Sequence, residues 1–204
     1  YQLFFGAAVD ELAPDGRSLV FSGMRQGMSD LYIVSLDKPG YQQLTKDAYG
    51  DLQPQWSPDG KSLLFGSDRE GADRLYLQAV DGGSARRLTS EARDPFTSEE
   101  SASFSPDGKW IVYVHRQRDR KDKLCLVELS SQKRTTLFES KSDHATEPVF
   151  SPNGQQVAFT LGLGQSSQVY VIDVDGKNPH RVTGAKGPNW HPLWIPQPAV
   201  STKR

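Results

Sequence analysis

One phrase returns along this chain and constrains what it can become. Trp56-Ser57-Pro58-Asp59-Gly60-Lys61-Ser62-Leu63-Leu64-Phe65 is preceded by Leu12-Ala13-Pro14-Asp15-Gly16-Arg17-Ser18-Leu19-Val20-Phe21. It is followed by Phe104-Ser105-Pro106-Asp107-Gly108-Lys109-Trp110-Ile111-Val112-Tyr113 and by Phe150-Ser151-Pro152-Asn153-Gly154-Gln155-Gln156-Val157-Ala158-Phe159. The prolines are spaced by 44, 48 and 46 residues. Each unit carries short apolar runs, too short and too rich in β-branched and aromatic residues for helices. Four such runs per period is the signature of a propeller blade.

The grammar inside a unit follows from turn chemistry. An apolar residue two places before the proline (Leu12, Trp56, Phe104, Phe150) ends a first strand. Proline presets φ at the corner, Asp or Asn can bond nearby backbone N–H groups, and glycine takes the positive φ. Second strands are expected at 19–21, 63–65, 111–114 and 157–160. Third strands are expected at Leu31-Tyr32-Ile33, Leu75-Tyr76-Leu77, Leu124-Cys125-Leu126 and Val169-Tyr170-Val171. Fourth strands should end at Leu44-Thr45, Leu88-Thr89, Thr136-Leu137 and Val182-Thr183. Residues 1–6 read as one further strand. Pro192-Leu193-Trp194-Ile195-Pro196 opens a fifth unit, but Gln197-Pro198 replaces Asp-Gly.

The expected architecture is therefore all-β: a propeller of four-stranded antiparallel blades, four whole and part of a fifth. The repeats fall at about 7–45, 51–89, 99–137 and 145–183, with a partial unit at 189–196. One domain covers 1–197, and 198–204 form a polar tail. An open count implies a piece of a larger ring or a ring closed by the two ends of the chain, because exposed sheet edges must be paired or covered.

These phrases, with Phe65-Gly66-Ser67, Leu75-Tyr76, Asp81-Gly82-Gly83 and Arg87-Leu88-Thr89, resemble the WD40-like repeat of the TolB-type β-propeller family. The resemblance runs from about Val9 to Pro196. It implies six-bladed propellers that work in the bacterial cell envelope, mostly as platforms for other proteins. It thus implies a periplasmic, extracytoplasmic protein whose protein partner in the envelope is a membrane complex or a lipoprotein. Ala13, Asn153 and Cys125 depart from the repeat without breaking it. Fold is a weak guide to function, so that implication is analogy.

Composition narrows the partners. Lys+Arg 24 against Asp+Glu 25 leaves a net charge of −1, so no bulk field favours nucleic acid or an anionic membrane. A single cysteine, Cys125, excludes an internal disulfide and a multi-cysteine metal site. No apolar run reaches 18 residues, so no helical span is expected. The chain opens at Tyr1 without a basic and apolar leader, which fits a mature form, an excised domain or a cytoplasmic protein.

Catalytic patterns are sparse. There is no Gly-x-Ser-x-Gly elbow and no phosphate loop. Gly162-Leu163-Gly164 reads as turn geometry, and Asp173-Val174-Asp175-Gly176 as the turn between third and fourth strands. The charged run from Arg116 to Lys123 reads as a solvated hairpin or a rim contact. The repeated aromatics are expected in the core between blades. No cofactor is expected and no metal site is assigned.

What remains is a register. The residues five before each proline are Val9, Gln53, Ser101, Glu147 and His191, a polar set that first strands would bring to a channel mouth. His144 lies eight before its proline and could approach the same place. Candidate channel-mouth or partner-binding residues are Gln53, Glu147, His191, His144 and Trp190. Two functional classes follow: a non-catalytic interaction module or extrinsic complex subunit, and a ligand- or metal-binding propeller enzyme of the lyase type. A third reading is the propeller part of a peptidase.

Overall fold

The computed structural model describes residues 5–25, 27–89, 96–118, 122–141, 143–184 and 187–195. The described strands form four sheets of four, each an antiparallel meander in chain order. The first holds β1 (Phe5–Leu12), β2 (Ser18–Arg25), β3 (Met28–Ser35) and β4 (Tyr41–Gln43); the second holds β5 (Asp51–Trp56), β6 (Ser62–Ser67), β7 (Arg74–Ala79) and β8 (Arg86–Arg87). The third holds β9 (Thr97–Phe104), β10 (Trp110–Gln117), β11 (Lys123–Glu128) and β12 (Arg134–Glu139); the fourth holds β13 (Ala145–Phe150), β14 (Gln156–Leu161), β15 (Gln168–Asp173) and β16 (His180–Arg181).

First strands end at Leu12, Trp56, Phe104 and Phe150, as the proline phrase requires. The turn beyond the last three is built the same way each time, while in the first unit, with Ala13 in place of serine, the Arg17 N–H donates to Asp15 Oδ1 at 2.8 Å. Ser57 Oγ donates to Asp59 Oδ1 at 2.6 Å and accepts from the Ser62 N–H at 2.9 Å, while Asp59 Oδ1 also accepts from the Lys61 N–H. Ser105 with Asp107, and Ser151 with Asn153, repeat the pattern. Gly108 sits at φ +69°, and its face lies against the neighbouring unit's turn, with Pro58 Cδ 3.6 Å from where a Cβ would be. Successive turns therefore stack blade on blade.

Packing between sheets buries the repeated aromatics. Tyr32, Phe65, Tyr113 and Phe159 are fully buried. Second-strand and third-strand rings pair across strands: Phe21 with Tyr32, Phe65 with Tyr76, and Phe159 with Tyr170 have ring centroids 5.5, 6.0 and 5.9 Å apart. In the third blade Tyr113 pairs with Cys125, and the Arg134 guanidinium fills the vacated space, 5.6 Å from the Tyr113 ring centre. A core cluster spans blades three and four, joining Val112, Leu124 and Leu126 to Phe150, Val157 and Phe159.

Polar side chains bond the outer ends of the blades, and in one case tie a blade to the next. Thr45 Oγ1 accepts from the Leu31 N–H at 2.9 Å, and Thr183 Oγ1 does the same for Val169 at 3.0 Å. The corresponding Thr89 donates to Glu99 Oε1, at the start of the next blade, at 2.5 Å. The threonine thus adds a side-chain bond where the Leu44, Leu88 and Val182 N–H groups still donate to the Leu31, Leu75 and Val169 carbonyls. The regular strands β4, β8 and β16 end just before this Leu-Thr or Val-Thr pair, whereas β12 runs past the corresponding Thr136-Leu137 to Glu139.

Two other expectations change. Phe5 and Gly6 continue β1 and make no separate strand, and residues 1–4 lie outside the described set. The fifth unit is described to residue 195; it docks without a regular ladder among the described residues, and the tail at 198–204 lies outside them. Among the described residues no helix is long and apolar enough to cross a membrane, which says nothing about a β-barrel.

Candidate functional site

The first strands are not regular. In β5 the pairing with β6 slips between Leu52 and Gln55, in β9 with β10 between Val112 and Val114, and in β13 with β14 between Thr146 and Val149. Each slip is a bulge, an extra residue that bends the strand and re-aims its side chains. At each one a non-glycine residue adopts the left-handed conformation: Gln53 at φ 52°, Ser101 at 51° and Glu147 at 54°. His191 in the fifth unit follows at 55°. Holding such a residue there costs about 1–3 kcal/mol, and strain of this kind concentrates where side chains must be aimed.

All four aim at one place. A cavity of about 830 Å³ is lined by Gln53, Ser101, Glu147 and His191, with Glu11 from β1 beside them. Segments from the four first strands and from the fifth unit thus converge on a shared channel. Glu147 organises one wall: His191 Nδ1 lies 2.7 Å from Glu147 Oε1, and the His191 N–H donates to Oε2 at 2.9 Å. Burial pushes the Glu11 carboxyl up, opposed by a bond from the Trp56 N–H. Asp73 is also raised, by burial and then by the nearby charges of Glu100 and Asp68.

The structure therefore brings Gln53, Glu147 and His191 to one cavity. His144 is placed elsewhere. Its Nδ1 lies 3.0 Å from Asp122 Oδ2 and touches Arg116 Nη1, and Asp122 also accepts from Arg116 and from the Ala145 N–H. This knot ties blade three to blade four. It also draws Arg116 inward, where its Nε donates to Glu100 Oε1 at 2.6 Å, so this end of the charged run is not a solvated hairpin. Trp190 is not among the residues lining the cavity and stands half exposed. Trp110 packs against the core between blades three and four.

Sequence reasoning missed Glu11, Asp73, Glu99 and Glu100, which also line the cavity. Glu11 belongs to the register two residues beyond the bulge, shared with Gln55, Ser103 and Val149, and period-two alternation could have found it. Asp73 comes from the β6–β7 connection, which no first-strand register reaches.

The TolB beta propeller domain family matches residues 7–198. The chain belongs to that family. TolB from Acinetobacter baumannii superposes with a TM-score of 0.76 at 28% identity, covering 91% of this chain and 45% of that one. An oligogalacturonate lyase in complex with manganese gives 0.71 at 19% identity, over 84% of this chain and 50% of that one, which bears on the fold alone. In sequence, an uncharacterized peptidase of Bacillus subtilis, YuxL, is 30% identical over 171 residues, 83% of this chain and 23% of the peptidase. The chain thus spans less than half of TolB and about a quarter of the peptidase.

Among the described residues no three His, Cys, Asp or Glu side chains group as metal ligands would. Glu147 and His191 spend their facing atoms on each other.

Proposed function

We propose that this TolB-like propeller is a non-catalytic platform for a protein partner, acting as an interaction module or extrinsic subunit of a bacterial envelope complex in the periplasm. The observation that carries this reading is the likeness to TolB, at 28% identity over 91% of the chain. The aimed ring of Gln53, Ser101, Glu147 and His191 supports it, because rigid side chains on strand bulges give a partner a preformed surface. The test is cross-linking of the protein in its native membranes, followed by mass spectrometry. Recovery of a protein cross-linked near the channel mouth supports the platform, and recovery of no protein partner counts against it.

A second reading is favoured by one observation, the 30% identity to a peptidase of which this chain covers 23%. In that case the propeller works beside a hydrolase domain in a longer protein. A fluorophosphonate probe applied to the natural full-length protein tests this. Covalent labelling of a serine outside residues 1–204 supports it, and absence of labelling favours the platform.

A further inference from the structure

The turn that closes a first strand also frames a groove against the next blade. Between blades two and three this groove holds about 710 Å³, and between blades three and four about 600 Å³. Neither shares a lining residue with the axial channel. The same repeat positions build both: Asp59 and Asp107 come from the earlier blade, Phe104 and Phe150 from the later one.

Three exchanges separate the two grooves. Ser62 in the first is replaced by Trp110 in the second, each donating its backbone N–H to the hydroxyl of the turn serine, Ser57 or Ser105. Arg86, paired with Leu77, is replaced by Thr135, paired with Leu126. Asp107, which lines the first groove from blade three, has Asn153 as its counterpart in the second. The second groove therefore lacks a cation and an anion that the first one holds, and it carries an indole instead.

Trp110 and Val174 pack on a core cluster that includes Leu126 and Phe150, and these four form the apolar walls. Asp107 is the one charged residue among the described residues that line it. Its Oδ1 is committed to the Ser105 hydroxyl and the Lys109 N–H, while Oδ2 stands 3.7 Å from the Lys109 ammonium, with both side chains more than half exposed. A pair of that kind contributes little and yields to a competing cation. The bonds to Oδ1 hold the carboxyl below its usual range, so it is charged at neutral pH. An indole face attracts cations, and apolar walls favour a flat hydrocarbon body. The volume lies within the range of about 300–1,000 Å³ typical of ligand pockets.

We propose that the groove between blades three and four is a binding site for a small organic cation with an aromatic body, an arylalkylammonium, whose ring packs among Trp110, Phe150 and Val174 while its ammonium faces Asp107. The site lies apart from the channel and does not depend on the platform reading.

The test is methyl NMR on the whole protein with phenethylamine, 2-phenylethanol and 3-phenylpropionate as probes. Phenethylamine should shift the methyl signals of Leu126 and Val174 and leave those of Leu77 and Leu129, in the sister groove, in place. At low salt it should bind at least about 5-fold more tightly than the neutral and anionic probes. Asp107→Asn, an exchange that Asn153 shows the turn accommodates, should bring phenethylamine level with 2-phenylethanol and leave the alcohol unmoved. Trp110→Ser, which gives this groove the residue of its sister, should weaken both by about 5-fold or more. If that variant misfolds, the probe series on the unmodified protein decides. Absence of shifts at Leu126 and Val174 overturns the proposal, as do equal affinities for the three probes, equal shifts in the sister groove or an unchanged affinity in Asp107→Asn.

Discussion

His191 is fastened to Glu147 at two points, ring nitrogen to one carboxylate oxygen and backbone N–H to the other, at 2.7 and 2.9 Å. The two residues occupy the same register in successive units and share the left-handed backbone. A side chain aimed by one bulge thereby positions the next.

Removing that anchor should loosen the fifth unit. The imidazole is mostly exposed, so its ion pair contributes little, and the amide-to-carboxylate bond dominates at about 1.5 kcal/mol. In Glu147→Ala, hydrogen exchange at the His191 amide should speed up by roughly 10-fold, while amides in β14 stay protected. Unchanged exchange at His191 would show that other contacts hold residues 187–195.

The third blade offers a repacking test. Cys125 is buried where the other blades carry tyrosine, and Arg134 Nη2 donates to its sulfur at 3.0 Å. Cys125→Tyr alone must push the guanidinium out and should cost about 1–3 kcal/mol in urea denaturation. Combined with Arg134→Ala, the ring has room to stack on Tyr113, and the double variant should recover most of the loss. Additive costs would mean that Arg134 does not fill the missing ring's place.

The turns make the acid limb of stability depend on two aspartates. The Ser57 hydroxyl, followed by the Lys61 N–H, holds Asp59 below the usual carboxylate range, and Ser105 with the Lys109 N–H does so for Asp107. A depressed folded pKa contributes stability that is present above the unfolded value, about 3.9, and is lost as pH falls through the lower folded value. Asn153 makes the same bonds without a charge. Asp59→Asn with Asp107→Asn should therefore flatten the fall in thermal midpoint below about pH 4. An acid limb as steep as the parent's would assign the loss to other carboxylates.

The fold was more legible than the site, for local reasons. Leu12, Trp56, Phe104 and Phe150 mark strand ends because Pro-Asp-Gly dictates its own turn, and the aromatic registers follow by alternation. The shared position of Gln53, Ser101, Glu147 and His191 could also be read from spacing. Their left-handed backbone could not, since none is the glycine or asparagine that usually announces it. His144 shares the fourth unit's opening with Glu147, yet it is captured by Asp122, a residue of another blade that only tertiary packing brings near. Asp73 joins the channel from a connection outside the repeat phrase, so no period pointed to it.

That same Asp122 should be the most sensitive polar position between blades. Its side chain is fully buried and accepts from Arg116, from the Ala145 N–H and, at 3.3 Å, from the Gln117 N–H, with His144 beside it. Deleting it removes one of the two carboxylates that hold the Arg116 guanidinium and strands two backbone donors at the junction of blades three and four. Breaking a buried pair of this kind costs about 3–5 kcal/mol, and the remaining bond from Arg116 to Glu100 argues for the lower end. Asp122→Ala should lower stability by about 3 kcal/mol in urea, and Asp122→Asn by less, because one acceptor oxygen remains. By contrast, Lys109 pairs with Asp107 at 3.7 Å with both side chains more than half exposed, and Lys109→Ala should change stability by less than about 0.5 kcal/mol. Equal losses at the two sites would mean that the knot around Asp122 is a surface pair in all but position, and that apolar packing alone holds blade three to blade four.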